Sequence, residues 1–231
     1  ETLEEKVKKR TEQLNLEKQK SDNLLLNILP PNIAQELKST GKAKARKYDS
    51  VTVLFADFKG FTSYAENLSP EELVKSVDFY FSKFDAIMEA YGLEKIKTIG
   101  DAYMCAGGLN NTSTDHAHKM VLAAIDIAAF VKESKQNVNI NTAFEIRIGI
   151  STGPVVAGIV GTKKFAYDIW GDTVNIASRM ESNSEPGKIN VSEQTYLLLK
   201  NQFTFESRGQ LKVRNRGTMN MYFVKNENQK V

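Results

Sequence analysis

KIKTIGDAYM, residues Lys95 to Met104, decides how the rest of the chain is arranged. Its glycine and aspartate stand between two β-compatible arms. That suits a two-residue type II′ turn and predicts antiparallel pairing of arms near Ile96–Ile99 and Ala102–Ala106. An antiparallel pair set among helical segments excludes strict βα alternation and favours an α+β fold with helices laid over a sheet. A turn needs neither Lys97 nor Asp101. The two are surface charges, a local salt bridge, or two parts of a chemical site.

Upstream, SVTVLFADFKGF carries the mostly apolar run Val51, Val53, Leu54 and Phe55 of a buried central strand, which is expected to end at Asp57. Ser69-Pro70-Glu71-Glu72 supplies an N-cap, a proline at N1 and a capping-box glutamate. A helix is predicted from there to about Tyr91, with Leu73, Val77, Phe84 and Met88 on one face. Downstream, Asp115 can cap a helix to about Lys132. FEIRIGIS alternates Ile146, Ile148 and Ile150 against Arg147 and Gly149, and TGPVVAGIVG turns back as another strand. A helix is expected near Asp172 in WGDTVNIASRMES, then a short strand KINVS, a helix capped by Ser192 to about Lys200, and closing strands in FTFESRGQLKVRNRGTMNMYFV.

Composition narrows the function. With 31 Lys plus Arg against 28 Asp plus Glu, the net charge of +3 gives little reason to expect nucleic-acid binding. The one cysteine, Cys105, excludes an internal disulfide and thiolate zinc clusters, and its apolar neighbours favour a buried, inert thiol. No apolar run reaches the roughly 18 to 20 residues of a membrane span. The sequence has no GxxxxGK[ST] and no HExxH, which removes P-loop NTPases and most zinc hydrolases. Its two histidines, His116 and His118, stand two apart at a helix start, where solvated or capping roles are expected rather than ligation.

Asp57 at a strand end and Asp101 at a hairpin tip would meet at one sheet edge. Two such carboxylates suit Mg²⁺, with phosphates and water completing its shell, although a chain this acidic also places carboxylates at strand ends by chance. In DFKGFTS, Gly60 lets the backbone turn and offer N–H groups and the Thr62 hydroxyl to phosphate oxygens. Asn175 and Arg179, four residues apart, share one helix face, which is either a plain polar surface or an amide and guanidinium set against a ribose and a phosphate. Arg147 points away from the isoleucine face of its strand, toward water or a polyphosphate.

VTVLFADFKGFTS, KIKTIGDAYM, IRIGISTGPVVAGIVG and YDIWGDTVNIASRMES, followed by the closing strands, together resemble the class III nucleotidyl cyclase catalytic domain over roughly Tyr48 to Val224. The resemblance implies a ferredoxin-like βαββαβ core with helices over an antiparallel sheet, in a head-to-tail homodimer. It implies that Asp57 and Asp101, with the Phe58 carbonyl, bind two Mg²⁺ or Mn²⁺ ions. The turn Phe58, Lys59, Gly60, Phe61 and Thr62, together with Arg147, would hold the triphosphate. Asn175 would orient the ribose and Arg179 would stabilise the pentavalent phosphorus. Lys97 and Asp168 take the base-selecting positions, next to Ile169 and Trp170. A lysine donates to adenine N1 and a carboxylate accepts from its 6-amino group, whereas guanine presents the opposite pattern. Guanylyl cyclases typically carry Glu and Cys there. The resemblance therefore implies an adenylate cyclase making cyclic AMP and pyrophosphate from ATP, the alternatives being a guanylate cyclase or an inactive nucleotide-binding regulatory domain. One departure is VRNRG in place of the family's VKGKG, which puts Arg214 where a lysine contacts the terminal phosphates.

The expected organisation is a signalling helix over 1–29, a short helix and basic linker over 30–47, the catalytic domain over 48–226 and a polar tail over 227–231. In the first segment Val7, Leu14, Ser21 and Ile28 at a positions, with Leu3, Arg10, Glu17 and Leu24 at d, form a partly apolar seam. That seam fits either a weak parallel coiled coil or a solvated helix. Because the chain starts at Glu1 within a charged helical pattern, we expect a piece of a longer polypeptide. Its catalytic domain would be cytoplasmic, in a parent that a membrane or sensor domain could anchor.

Overall fold

The computed structural model describes residues 2–110, 114–135, 144–161, 164–213 and 217–227. It divides into two compact units, residues 1–46 with 158–167, and residues 47–157 with 168–231.

In the first unit, α1 (Leu3–Leu26) starts at Thr2, whose side chain accepts from Glu5 N while Glu5 reaches back to the Thr2 N–H, a complete capping box. Pro30 and Pro31 then restart the chain as α2 (Pro31–Thr40), closed by Gly41 in the left-handed conformation at φ +72°. Lys38 reaches back to Asp22 at 2.6 Å, and Arg46 meets Glu36 at 2.5 Å. None of the α1 residues is buried, and Leu3, Val7, Leu14 and Leu24 of the seam are all more than half exposed.

The second unit is built on a mixed sheet. The remaining elements of the chain are β1 (Arg46–Lys59), the short α3 (Phe61–Ala65), α4 (Pro70–Ala90), β2 (Glu94–Ile99), β3 (Ala102–Gly107), α5 (His116–Ser134), β4 (Glu145–Val160), β5 (Ala166–Trp170), α6 (Asp172–Ser182), β6 (Ile189–Ser192), α7 (Glu193–Leu199), β7 (Phe203–Val213) and β8 (Gly217–Glu227). The strands run in the order β2-β3-β1-β4-β6-β8-β7, with β5 paired to β4. The sheet is not wholly antiparallel as expected, because β4 and β6 pair parallel. β5 and α6, which lie between them in the chain, supply the crossover that a parallel pair requires.

Alternation along the strands sorts the two faces. Leu54, Ala56 and Phe58 of β1, Tyr103 and Cys105 of β3, and Ile146, Ile148 and Ile150 of β4 enter one core with Tyr80, Phe84 and Met88 of α4 and Met120, Ile127 and Val131 of α5. Phe58 is a hub there, with ring centroids 4.8 Å from Phe144, 5.1 Å from Tyr80 and 5.8 Å from Phe81. Residues between these positions face the other way, and there Arg147 and Gly149 of β4 meet the end of α6. α4 starts as expected, the Ser69 and Glu72 side chains each bonding the other's backbone N–H.

Four local expectations change. TGPVVAGIVG does not turn back as another strand but continues β4, which runs unbroken from Glu145 to Val160. β1 continues two residues past Asp57 and starts at Arg46, inside the stretch read as linker. Asp115 stands at the N-cap of α5 but makes no capping bond, its carboxylate meeting Lys119 at 3.1 Å instead. His116 is buried rather than solvated: its Nδ1 lies 2.8 Å from Thr52 Oγ1, within a run of buried hydroxyls through Thr152, Thr195 and Ser192. His118 is half-buried, with its ring 5.0 Å from that of Phe203. Cys105 is a buried thiol, as expected, and burial pushes its pKa up.

Candidate active site

The alternation that buries Phe58 turns Asp57 to the opposite face, and strand register does the rest. Asp57 pairs with Ala102 of β3, the residue next to Asp101 at the hairpin tip. The turn closes with Ile99 opposite Ala102, so Gly100 and Asp101 are its two loop residues. Gly100 takes φ +62°, which a primed turn requires at that position. Burial raises the Asp101 pKa, and the neighbouring Asp57 charge raises it further. A divalent cation relieves both costs. Among the described residues no group of three or more His, Cys, Asp or Glu could hold a metal alone, so a cation here would complete its shell from backbone, water and phosphate.

Arg147 reaches this pair from β4. Its Nη2 lies 2.6 Å from Asp57 Oδ2 and 2.9 Å from Glu181 Oε1. The first contact is an aligned hydrogen bond. The second is an ion pair whose geometry leaves Glu181 Oε1 without an aligned donor, and Arg147 Nε also lacks a partner. Sequence reading did not single out Glu181, because a glutamate near a helix end is ordinary. Its side chain is 11% exposed, and burial, followed by the Asp57 charge, pushes its pKa up to about 7.

Lys97 does not pair with Asp101. It donates to Asp168 Oδ2, while Asp168 Oδ1 accepts the Ile169 N–H at 2.9 Å. A bulge makes this possible. Lys95 pairs with Cys105 but Lys97 with Met104, leaving Ile96 as an extra residue. Residues opposite one another in an antiparallel pair share a face, so Lys95 follows Cys105 to the helical side. There it meets Asp85 of α4 at 2.8 Å and lies over the Tyr103 ring. Lys97 follows Met104 to the other side. Two lysines at i and i+2, which would share a face in a regular strand, are thereby sent to opposite ones.

Asn175 and Arg179 lie one turn apart on α6, Asn175 exposed and Arg179 half-buried. The expected phosphate turn is tighter than the sequence suggested. Phe58 and Lys59 are still strand, Gly60 breaks it at φ +77°, and Phe61 and Thr62 already open α3. Ile169 is buried and Trp170 is 39% exposed. Arg214 lies outside the described residues.

Residues 43–226 match the family model described as the adenylate and guanylate cyclase catalytic domain. The chain belongs to that family. An adenylate cyclase of Mycobacterium tuberculosis is 40% identical over 215 residues, covering 91% of this chain and 47% of the relative. A receptor-type guanylate cyclase of Caenorhabditis elegans, gcy-1, is 38% identical over 231 residues, covering 96% of this chain and 20% of that one. The crystal structure of the guanylate cyclase domain of RhGC from Catenaria anguillulae in complex with GTP superposes with a TM-score of 0.74 at 35% identity, covering 79% of this chain and all of that one. The chain thus spans about half the length of its mycobacterial relatives, and similarity to cyclases of both kinds leaves the nucleotide to be argued from the site.

Proposed function

We propose that this chain is the catalytic part of an adenylate cyclase. In that reading the ATP ribose 3′-oxygen attacks the α-phosphorus, and cyclic AMP and pyrophosphate leave. The observation that carries the choice of nucleotide is the Lys97–Asp168 pair, a donor and an acceptor on one face with complementary charge. Adenine's N1 accepts and its 6-amino group donates, so each partner keeps a bond when the base enters. Guanine would set its N1–H against the ammonium and its O6 against the carboxylate, at a cost of about 1 to 3 kcal/mol for each buried mismatch.

Asp57 and Asp101, with the Phe58 carbonyl, would hold two Mg²⁺ or Mn²⁺ ions, which when bound lower the charge on the attacking oxygen and steady the leaving pyrophosphate. The rest falls to side chains. Arg147, the 58–62 turn and Arg214 hold the triphosphate, Asn175 orients the ribose, and Arg179 offsets charge on the reacting phosphorus. In the proposed head-to-tail homodimer, one protomer supplies Asp57 and Asp101 while its partner supplies Lys97, Asp168, Asn175 and Arg179. The uncovered seam of α1 supports a second, parallel contact between the copies and an attachment to an upstream sensor or membrane domain. No helix among the described residues is long and apolar enough to cross a membrane.

Purified chain with Mn²⁺ and either ATP or GTP tests the reading by the product formed. Cyclic AMP is expected; cyclic GMP as the main product overturns the base assignment, and no cyclic nucleotide overturns the enzyme. Asp57→Ala and Arg179→Ala should each be inactive, yet recover on mixing to about a quarter of wild-type activity. Half of randomly exchanged dimers are then mixed, with one intact site in two. No recovery in proven mixed dimers would refute shared sites.

A further inference from the structure

Glu181 has no part in the proposed chemistry, yet the fold goes to some length to place it. Gly149 stands two residues from Arg147 on the same strand face, and a Cβ there would lie 1.9 Å from Glu181 N and 2.5 Å from Glu181 Cα. The missing side chain lets the end of α6 rest on the β4 backbone. From the neighbouring strand, fully buried Asn190 donates from Nδ2 to the Met180 carbonyl at 2.8 Å and holds the same helix end. Contacts from two strands, one through backbone and one through a side chain, thus fix the residue that meets Arg147.

One guanidinium nitrogen is shared between two acids, Asp57 at 2.6 Å and Glu181 at 2.9 Å. The two differ in what else they are needed for. A cation bound at Asp57 takes up its oxygens and repels the guanidinium, whereas Glu181 remains available. We propose that Glu181 is the positioning residue for Arg147. It holds the guanidinium when Asp57 turns to metal, so that the remaining N–H donors face the triphosphate. This rests on the reading of Arg147 as a triphosphate contact. Without Glu181, Arg147 stays on Asp57 and competes with the cation.

The test is a cycle of steady-state measurements on wild type, Arg147→Ala, Glu181→Ala and the double variant, varying ATP and Mn²⁺ separately. Arg147→Ala is measured first. An unchanged KM for ATP there overturns the triphosphate reading itself. Given a raised KM, Glu181→Ala alone should raise the KM for ATP about tenfold and raise the half-saturating Mn²⁺, with kcat reduced less than threefold. In the Arg147→Ala background the same change should move KM less than twofold, since nothing is left to position. Full additivity, or a loss confined to kcat, overturns the proposal: a role in merely holding α6 persists without Arg147. Glu181→Gln, which keeps volume and an acceptor, should lie between wild type and Glu181→Ala, and supplies the cycle if the alanine variant does not fold.

Discussion

Lys97 meets one carboxylate, that of Asp168, while Arg147 meets two, those of Asp57 and Glu181, with Asp101 close by. The first group balances its charge and stands at the edge of solvent, Lys97 being 40% exposed along its side chain. The second sets three acids around one base at exposures of 11 to 26% for the three paired side chains. The difference teaches what each is suited to bind. A balanced pair can trade its mutual bond for two bonds to an uncharged base at little net cost. An acid-rich cluster carries unbalanced negative charge, which a cation, as proposed, would offset.

The sharpest way to break this contrast is to neutralise the cluster. Asp101→Asn should lower cyclase turnover at least about a thousandfold, since the proposed cation ligand is lost, yet raise the melting temperature measured in chelator, since a half-buried repulsion with Asp57 goes with it. A melting temperature that falls would mean the acids are not in conflict. Next, removing each base separates the groups by stability. Arg147→Met strands the buried Glu181 and the half-buried Asp57 carboxylates and should cost about 3 to 5 kcal/mol, whereas Lys97→Met at a partly exposed pair should cost about 1 kcal/mol or less. Denaturant midpoints read both, and equal losses would erase the distinction.

A smaller effect concerns selectivity. Lys97→Glu with Asp168→Cys should shift the ratio of kcat/KM for GTP over ATP upward by about ten- to a hundredfold, while the metal requirement stays as it was. The smallest uses an acid outside both groups. Glu94 is half-buried, its Oε1 buried without a hydrogen bond, and desolvation raises its pKa to about 7 from 4.5. Below about pH 4.5 it is protonated in both folded and unfolded chains and costs nothing. Between 4.5 and 7 the unfolded chain ionises while the fold retains its proton, so stability falls as pH rises, and above 7 the loss is complete. The stability of Glu94→Gln relative to wild type should therefore rise from pH 4 to pH 8 in chemical denaturation, and an unchanged difference would place the glutamate in water.

Much of the fold is legible because its signals are local. The Ser69–Glu72 capping box, the Gly100–Asp101 turn and the isoleucine alternation of β4 each need only a few neighbouring residues to state what they do. The meeting of Asp57 with Asp101 follows from one hairpin tip and one register, although β1 runs past Asp57 rather than ending there. What escapes is decided by distant partners. Glu181 matters through Gly149 and Arg147, more than thirty residues before it in the chain, and period-three patterning says nothing of that. His116 reads as a surface residue until Thr52 covers it. The parallel pairing of β4 with β6 depends on where α6 lies, and the start of β1 at Arg46 on sheet pairing that overrides a basic, aperiodic stretch.

The extra residue at Ile96 carries a consequence of another kind. In a regular strand Lys95 would point the same way as Lys97, crowd a second ammonium against the nucleotide-facing side and leave Asp85 and Tyr103 without their cation. One added residue sorts two identical side chains into different employments, one bracing the helix layer and one placed, in the proposed function, to read a base. The instruction is written in the length of the segment rather than in its composition. A homologue with every charged residue of KIKTIGDAYM intact but a different count between Lys95 and the turn would preserve the motif and lose its meaning.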